Sequence, residues 1–555
     1  MKLNGKEQTG CSHIAKYDCS FSETGLDFSI DLKEEHALYL LGIDIGTTNS
    51  KAGLYDMNGN AIAIASRPTQ TFQDPKGFQY YDPDQMWETV ASAIREVTEK
   101  AASEQTNRSD DSPSTSSSTD RLKIAAIGIT SMAESGVFIH KQTGKPASPF
   151  LPWFDTITQP QAEHISAQSD MYERFTATGL RGSFKLGLAK ILWIREHYPE
   201  ALNDAVWLSA SGYIAYRLTG QMAVDYTLGA RTYAFRIDTK QWDKDWIRSF
   251  GLSENIFPEA LPSDAVMGHV QSHLKDIGLT EGTPVTIAGH DHVCSAMAVG
   301  AIVPEKVYDS MGTAETLVGT LPEKPLGRRE YNAGLSFGCH IAKGRYFWMG
   351  GNSSSGGSVE WLRKQLGDPE LDYPTLLQLL ADVPEEPTGI LYHPYLTGSG
   401  APQPNPRMKA SFIGITAQHS RGDLIKAVLE GTAYQLESIR REAEGIAGQP
   451  ITRLTVVGGG TRNPYWLQVK ADIVGCELEI PHIEEATMAG AAMTAGIAAG
   501  CYASAEEAAK VTAAARDAQA ASVIRPDSAR HEQYKKLYEE GYVKLADFLQ
   551  SYFSN

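Results

Sequence analysis

Short apolar runs that end in glycine-rich turns recur along this chain from about residue 37 onward. The first such run covers residues 40–45 and contains one aspartate, Asp44, and a second run begins at Lys51. Because a Gly-Thr-Thr turn separates the two runs, the pattern predicts the strands of a hairpin. Asn58-Gly59 predicts a second hairpin onto residues 61–65, since Asn-Gly readily adopts the positive φ of such turns.

The same pattern returns three times further along the chain. Residues 122–130, 283–288 and 454–457 are short and apolar, so they are predicted to be buried strands. Helical patterns lie between them. One helix is predicted to begin after Asp82, with Pro83 in its first turn, and to run to about residue 102.

Two segments lack any period. Residues 1–36 are polar and mixed, which predicts an unstructured or loosely docked extension. Residues 103–120 are rich in Ser, Thr and Asp and cannot bury a core, so we expect a surface loop or a disordered insert there. At 555 residues the remaining chain is too long for one core, and we expect two domains, 37–302 and 303–555.

Composition narrows the class of protein. A hydrophobic content of 42% and a charged content of 21% are typical of a soluble globular protein, and neither a membrane span nor a signal peptide is evident. Six scattered cysteines without a C-x-x-C pair disfavour a disulfide framework, a zinc site or a redox protein, and favour a reducing compartment. A net charge of −17 disfavours nucleic acid or an anionic membrane as partner. We therefore expect a cytoplasmic protein.

The first hairpin turn carries candidate chemistry for a phosphate. Gly46-Thr47-Thr48 would expose backbone N–H groups and two hydroxyls in one concavity, and Asp44 could hold a hydrated Mg²⁺ beside it. The alternative is an ordinary turn beside a strand aspartate. Gly312-Thr313 repeats the motif with Ser310 at the place of Asp44, which indicates either an internal duplication or a coincidence.

Other polar groups are candidates for ligand contacts. Glu134 comes just after the predicted strand 122–130, at the end of the strand where open α/β sheets bind ligands. Asp155 follows the aromatic pair Trp153-Phe154. Asp291 stands between a strand and a helix, so it either caps the helix or orients a hydroxyl for phosphoryl transfer. Glycines 458–460 would let a flat ligand approach the backbone closely.

These motifs, in this order, resemble the FGGY family of carbohydrate kinases. The match spans about residues 39–500, and its most specific part is 410–415 followed by 423–430. The motifs are GIDIGTTNSK, DPDQMW, AKILWIREH, AGHDH, DSMGTAET, ASFIGI, DLIKAVLE, VVGGGTRNPYW and ATMAGAA. The resemblance implies an α/β fold with two actin-like, ribonuclease H-like domains flanking a catalytic cleft. The N-terminal domain would bind sugar and the C-terminal domain ATP.

The resemblance also implies roles for individual residues. Asp291 would be the catalytic base, and Asp44 would hold Mg²⁺ through water. The residues implied to bind the nucleotide cofactor are Thr47, Thr48, Asn49, Lys51, Gly312, Thr313, Gly356, Gly459, Gly460 and Asn463. Those implied to contact the substrate are Ala133, Glu134, Asp155, Asp291 and His292.

The implied activity is transfer of the γ-phosphoryl group of ATP to a hydroxyl of a ketose (pentulose or hexulose) or polyol, in a chain that could form a homodimer. Ala133 replaces an arginine of glycerol kinases, which makes glycerol less favoured. Residues 398–400 replace a Gly-Glu-Arg run of xylulokinases, which also brings xylulose into question. The alternatives are an actin-like nucleotide hydrolase and a nucleotide-sensing protein; Glu134, Asp155 and Asp291 favour a sugar pocket.

Overall fold

Two mixed β-sheets form the framework of the computed structural model, which describes residues 38–108, 122–517 and 521–554. The strands are β1 (Leu38–Ile45), β2 (Asn49–Asp56), β3 (Ala61–Pro68), β4 (Phe72–Gln73), β5 (Gln79–Tyr80), β6 (Lys123–Ser131), β7 (Gly136–His140), β8 (Ala205–Ser209), β9 (Ala223–Asp225), β10 (Phe235–Arg236), β11 (Gln241–Trp242), β12 (Glu259–Leu261), β13 (Gly268–His269), β14 (Pro284–His290), β15 (Val307–Met311), β16 (Glu315–Pro322), β17 (Ser336–Cys339), β18 (Arg345–Asn352), β19 (Leu391–His393), β20 (Ser411–Ile413), β21 (Arg453–Val457), β22 (Glu477–Ile480) and β23 (Ser522–Ile524).

Helices connect these strands and cover the sheets. They are α1 (Pro83–Arg108), α2 (Gln159–Ser166), α3 (Met171–Thr178), α4 (Gly187–His197), α5 (Ala210–Thr219), α6 (Tyr226–Ala230), α7 (Lys244–Ser249), α8 (Asp291–Ala298), α9 (Arg328–Asn332), α10 (Gly356–Leu366), α11 (Tyr373–Ala381), α12 (Arg421–Ala447), α13 (Pro464–Val474), α14 (Ala486–Ala498), α15 (Ala505–Asp517), α16 (Ser528–Leu537) and α17 (Val543–Ser554). Short 3₁₀ segments lie at Thr156–Thr158, Pro199–Leu202, Glu254–Ile256, Ser272–Ile277 and Gly459–Arg462, and Tyr538–Tyr542 is a π-helical turn.

The two sheets share the order of six strands. The first sheet has the order β3-β2-β1-β6-β14-β13, and the second has the corresponding order β18-β16-β15-β21-β22-β23, with β17 added beside β18. In the first, β1 is antiparallel to β2 and parallel to β6, and β6 is parallel to β14. In the second, β15 is antiparallel to β16 and parallel to β21, and β21 is parallel to β22. The predicted internal duplication is therefore present in the topology.

The two hairpins also match in register. Ile45 pairs with Ser50 across the first hairpin and Met311 with Glu315 across the second, so the second turn is one residue shorter. Asp44 and Ser310 each stand one residue before these closing pairs. The predicted correspondence between Asp44 and Ser310 is thus confirmed.

Both faces of the first sheet are buried, which explains why β1 is a continuous apolar run. Leu41 and Ile43 pack in the same core cluster as Trp87 of α1. Leu40 points to the other face and packs in a cluster with Met488 of α14. Successive side chains of a strand alternate between faces, so a strand covered by helices on both sides needs apolar residues at every position.

Helices α8 and α14 contact each other and lie against both sheets in one shared core cluster. Their small residues allow the backbones to meet. A Cβ at Gly490 would lie 1.8 Å from Cys294 O, and a Cβ at Gly42 would lie 2.2 Å from Met488 O. A Cβ at Gly128 would lie 1.9 Å from Ala491 O. The small residues of α14 are therefore required for its close packing.

The sequence prediction for residues 103–120 was wrong at its start. Helix α1 continues to Arg108, and the Ser103 hydroxyl donates to Lys100 O at 2.7 Å within the helix. Residues 103–108 contain Glu and Gln, which favour helix, and no Gly or Pro that would stop it. Residues 109–120, like the extension at 1–36, lie outside the described residues.

We expect Gly490→Ala to destabilise the protein by about 1–3 kcal/mol, because the added methyl forces the α8 and α14 backbones apart. Gly445→Ala is the matched control, since it is also within a helix, α12, and its Cβ would meet only Arg329 Nη2 at 3.6 Å. That control should be neutral or stabilising by up to about 1 kcal/mol. Urea unfolding followed by circular dichroism measures both; equal midpoints would show that the helix contact tolerates a side chain.

Candidate active site

Three neighbouring parallel strands of the first sheet end at one edge and bring the predicted groups together. Ile45 of β1 and His290 of β14 both pair with Ser131 of β6 at this edge. The hairpin turn after β1, Glu134 after β6 and Asp291 after β14 therefore emerge side by side. The carboxyl edge of parallel strands is where open α/β sheets bind ligands.

Asp291 is held by donors on one oxygen only. Its Oδ1 accepts the His292 backbone N–H at 2.6 Å and lies 2.8 Å from His290 Nδ1. The same N–H is 3.2 Å from His290 Nδ1, so we assign it to the closer carboxylate, and His290 Nδ1–H then donates to Oδ1. Within the described ranges Oδ2 has no hydrogen-bond partner. A substrate hydroxyl can therefore approach that oxygen.

The charge state of Asp291 follows from the same contacts. Burial would raise its pKa, but the imidazoles of His292 and His290 and the hydrogen bonds to Oδ1 hold the pKa well below its usual range. His290, rather than Asp291, occupies the position before the helix, so Asp291 is the first residue of α8. Burial lowers the pKa of His292, against the attraction of Asp291.

Asp44 has a carboxylate oxygen that makes no hydrogen bond to the described protein residues. Its Oδ1 is buried and has no hydrogen-bond partner in the described part of the chain. Burial and the nearby Asp291 raise the pKa of Asp44 to about 8, which Lys51 only partly offsets. An unpaired carboxylate oxygen fits a Mg²⁺ ion. The described residues contain no cluster of three or more metal-ligating side chains, so such an ion would depend on water and phosphate oxygens for its other ligands.

The first hairpin turn, residues 46–49, is held by one side-chain hydrogen bond to Trp153 and by one backbone hydrogen bond across the turn. The Thr47 hydroxyl accepts from Trp153 Nε1 at 2.9 Å, and Gly46 N–H donates to Asn49 O at 3.0 Å across the turn. Thr48 is exposed. Lys51 forms an ion pair with Glu485 at 2.6 Å, and its predicted contact with the nucleotide remains a prediction.

The second loop is supported by backbone contacts from α10. Gly356 N–H donates to Gly312 O at 3.1 Å, and Gly357 N–H donates to Thr313 O at 2.9 Å. A Cβ at Gly356 would lie 2.5 Å from Gly312 O. Gly356 is thus needed for this loop to pack on α10, and its predicted contact with the adenosine remains a prediction.

A buried ionic cluster beneath the second loop was missed by sequence reasoning. Lys470 Nζ lies 2.8 Å from Asp309 Oδ2 and also contacts Glu315, and all three side chains are fully buried. Ser355 Oγ donates to the other Glu315 oxygen at 2.6 Å. Asp309 and Glu315 flank the turn, so the cluster fixes its base. Charged residues inside the apolar runs of β15 and α13 are the signal that could have found it.

The glycine turn at residues 458–460 lies against the end of β15. Gly458 has φ of 104°, and a Cβ there would lie 2.6 Å from Met311 O. Asn463 caps α13 through its Oδ1, which accepts Trp466 N–H at 3.1 Å. Gly459 and Gly460 lie between them, in the 3₁₀ segment. The structure places these predicted nucleotide contacts beside the second loop.

On the sugar side, Glu134 has a partner that the sequence did not reveal. Arg231 Nε donates to Glu134 Oε1 at 2.7 Å and Arg231 Nη2 contacts the same oxygen. Burial would raise the pKa of Glu134, but Arg231 holds it below its usual range. Glu134 has φ of 60°, an unusual conformation that turns its side chain toward Arg231.

Two further predicted substrate contacts, Asp155 and Ala133, are held within the protein, and their contact with substrate remains a prediction. Asp155 Oδ1 accepts Ile157 N–H at 2.8 Å and so caps a 3₁₀ segment, while its Oδ2 accepts Gln79 N–H. Ala133 is buried in the core beneath the cleft. Sequence alone could not show these contacts, because they depend on partners that are distant along the chain or on burial in the tertiary structure.

Comparison with known proteins identifies the family. The N-terminal domain model of the FGGY family of carbohydrate kinases matches residues 39–298, and the C-terminal domain model matches residues 307–499. The chain belongs to the FGGY family of carbohydrate kinases. An FGGY kinase uses ATP to phosphorylate a sugar, so the predicted class of enzyme is confirmed.

Several relatives of this FGGY chain match almost its whole length. The xylulose kinase of Staphylococcus epidermidis is 28% identical over 504 residues, covering 90% of this chain and 95% of that protein. The glycerol kinase of Limosilactobacillus reuteri is 29% identical over 472 residues, covering 83% and 89%. The crystal structure of gluconate kinase from Lactobacillus acidophilus superposes with a TM-score of 0.81 at 21% identity, covering 93% and 99%.

These similarities confirm the predicted fold class, two FGGY domains of mixed α/β structure. Residues 500–554 lie beyond the second family match and include α15, α16 and α17. No helix in the described residues combines the length and apolar character needed to cross a membrane.

We expect Lys470→Met to destabilise this FGGY kinase by about 3–5 kcal/mol, because it leaves Asp309 and Glu315 buried without a cation. Lys364→Met, at an exposed position in α10, should change stability by less than about 0.5 kcal/mol. Urea midpoints of the two variants give the comparison. Similar midpoints would indicate that the two buried carboxyls share protons and do not need Lys470.

Proposed function

We propose that Asp291 is the catalytic base that accepts the proton of a sugar or polyol hydroxyl during phosphoryl transfer from ATP. The observation that supports this role is the one-sided hydrogen bonding of its carboxylate, with Oδ1 held by His290 and His292 and Oδ2 open. A low pKa does not prevent the role, since phosphoryl transfer depends mainly on positioning.

In the proposed reaction the substrate oxygen attacks the γ-phosphorus as the bond from that phosphorus to the leaving ADP oxygen breaks. The hydroxyl proton passes to Asp291 Oδ2 and later to solvent, so the products are a phosphorylated sugar, ADP and a proton. His290 and His292 orient the carboxylate, because both donors act on Oδ1. Glu134 is fixed by Arg231 through Oε1, and its Oε2 would accept a hydrogen bond from a second substrate hydroxyl.

The phosphates of ATP would lie between the two hairpin turns. Thr47, Thr48, Asn49 and Lys51 belong to the first turn, and Gly312 and Thr313 to the second. Lys51 must leave Glu485 to reach a phosphate, which costs little because partly exposed ion pairs contribute only about 0–1 kcal/mol. Asp44 would hold Mg²⁺ through water; when bound, the ion neutralises charge on the phosphates.

We further propose that the two domains divide near residue 302, since the strands of the first sheet end at His290 and those of the second begin at Val307. A cytoplasmic location and a homodimer remain predictions. The alternative, a hydrolase, would need a water molecule fixed at Asp291 Oδ2. Because Glu134 offers a second hydrogen-bond acceptor at the same edge of the sheet, we favour a substrate hydroxyl at Oδ2.

We expect Asp291→Asn to lower kcat by about 10²–10⁴-fold while ADP binding, measured by thermal shift, is retained, because only the proton acceptor is removed. Asp245→Asn, at an almost fully exposed side chain, is the matched control and should keep normal kcat. Near-normal kcat in the Asp291 variant would exclude it as the base and make His290 or His292 the next candidates.

The duplicated hairpins allow a second pair of matched variants, one in each hairpin. Asp44→Asn should raise the Mg²⁺ concentration needed for half-maximal activity by at least about tenfold, since it removes the unpaired carboxylate oxygen. Ser310→Ala, at the equivalent place in the second hairpin, should leave that concentration unchanged. Titration of Mg²⁺ at saturating ATP gives both values, and equal effects would show that the metal is not held on the Asp44 side.

A further inference from the structure

Lys185 is a half-buried cation beside the sugar-side residues, and no step of the proposed reaction uses it. Its Nζ lies 5.1 Å above the ring of Trp153. In the described residues the ammonium has neither a hydrogen bond nor an ion pair. Trp153 is itself fixed at both ends, by Thr47 Oγ1 at 2.9 Å and by a bond from its backbone N–H to Ser135 Oγ at 3.0 Å. Lys185 is therefore next to both the first phosphate loop and the residues around Glu134.

The acidic side chains at this edge of the sheet that the structure describes already have partners. Glu134 is paired with Arg231, and Asp291 with His290. Asp155 accepts two backbone N–H groups. Glu134 and Arg231 line one cavity, and Lys185 lies close enough to interact electrostatically with the Glu134 carboxylate.

The other cations near Lys185 differ from it in their contacts. Lys190 is fully buried and donates to the carbonyls of Phe184 and Lys185, and burial lowers its pKa to about 7. Arg231 is paired through Nε and Nη2, but its Nη1 is buried without a partner in the described ranges. Two cationic groups beside Glu134 thus have N–H donors without a protein acceptor in the described residues, and Lys185 has no ion-pair partner there.

We propose that Lys185, with Arg231 beside it, binds an anionic group of the carbohydrate, so that the substrate is a sugar acid in place of a neutral ketose or polyol. The inference rests on the proposed function of the site. A half-buried ammonium without a counter-ion is unfavourable, and a carboxylate removes that cost through a charge-assisted hydrogen bond. A neutral hydroxyl can accept the hydrogen bond but cannot neutralise the charge.

A phosphate monoester offers the same chemistry as a carboxylate, so the test includes both. Aldonates of three to six carbons are compared with the alditols of equal length and, at six carbons, gluconate with glucitol and glucitol 6-phosphate. Release of ADP gives kcat/KM for each compound. Thermal shift without ATP gives binding of the same compounds independently of turnover.

For the wild type we expect kcat/KM of the best aldonate to exceed that of the matching alditol by at least about tenfold, as for one well-placed ionic hydrogen bond. Lys185→Met should lower the aldonate value by about 10–100-fold and change the alditol value less than about threefold. It should also abolish the thermal shift with aldonates. Lys185→Arg should restore part of the aldonate preference, because it keeps the charge.

Lys76→Met is the matched control, since Lys76 also lies over an aromatic ring, 5.3 Å from the centroid of Tyr198, but is exposed. It should leave every value unchanged. A preference for glucitol 6-phosphate over gluconate that is lost in Lys185→Met would support the anion site and assign it to phosphate.

Equal use of aldonates and alditols by the wild type, or an aldonate preference that survives Lys185→Met, would overturn the proposal. An aldonate that neither binds nor reacts while alditols or ketoses do would overturn it as well. None of these results affects phosphoryl transfer itself. That proposed function would fail on a different result, normal kcat in Asp291→Asn.

Discussion

The close approach of helices α8 and α14 is the constraint on which the rest of this structure depends. Gly490 meets the carbonyl of Cys294 with no room for a side chain, and Gly42 and Gly128 meet the backbone of α14 in the same way. Interiors this dense do not deform continuously. The position of α14 therefore sets where α8 begins, and α8 begins with Asp291.

The same packing joins the two halves of the duplicated fold. Because α8 and α14 share one core cluster with residues of both sheets, the edge that carries Asp44 and the edge that carries Ser310 belong to one framework. The halves have nevertheless diverged in their charges. In the first, Asp44 Oδ1 has no hydrogen-bond partner among the described residues, whereas the second has the closed cluster of Lys470, Asp309 and Glu315 beneath its loop.

The polar groups around the cleft differ in whether the described protein residues already satisfy them. Asp155 and Asn463 use their side-chain oxygens to cap chain segments, and the carboxylate of Glu134 is oriented by Arg231. Asp44 Oδ1 and the ammonium of Lys185 are left without protein partners in the described part of the chain. Unpaired polar groups in partly buried places are costly, which is why we propose Asp44 and Lys185 as positions where ligands bind.

Local sequence determined the hairpins, the buried strands and the glycine turns, because apolar runs and turn residues act over a few positions. It also determined the correspondence of Asp44 with Ser310 and the place of Asp291 between strand and helix. Tertiary structure alone decided the pairing of Glu134 with Arg231, of Lys51 with Glu485 and of Lys470 with Asp309. These partners are separated by 97, 434 and 161 residues. Such contacts depend on how the sheets and helices pack, and no local pattern records that.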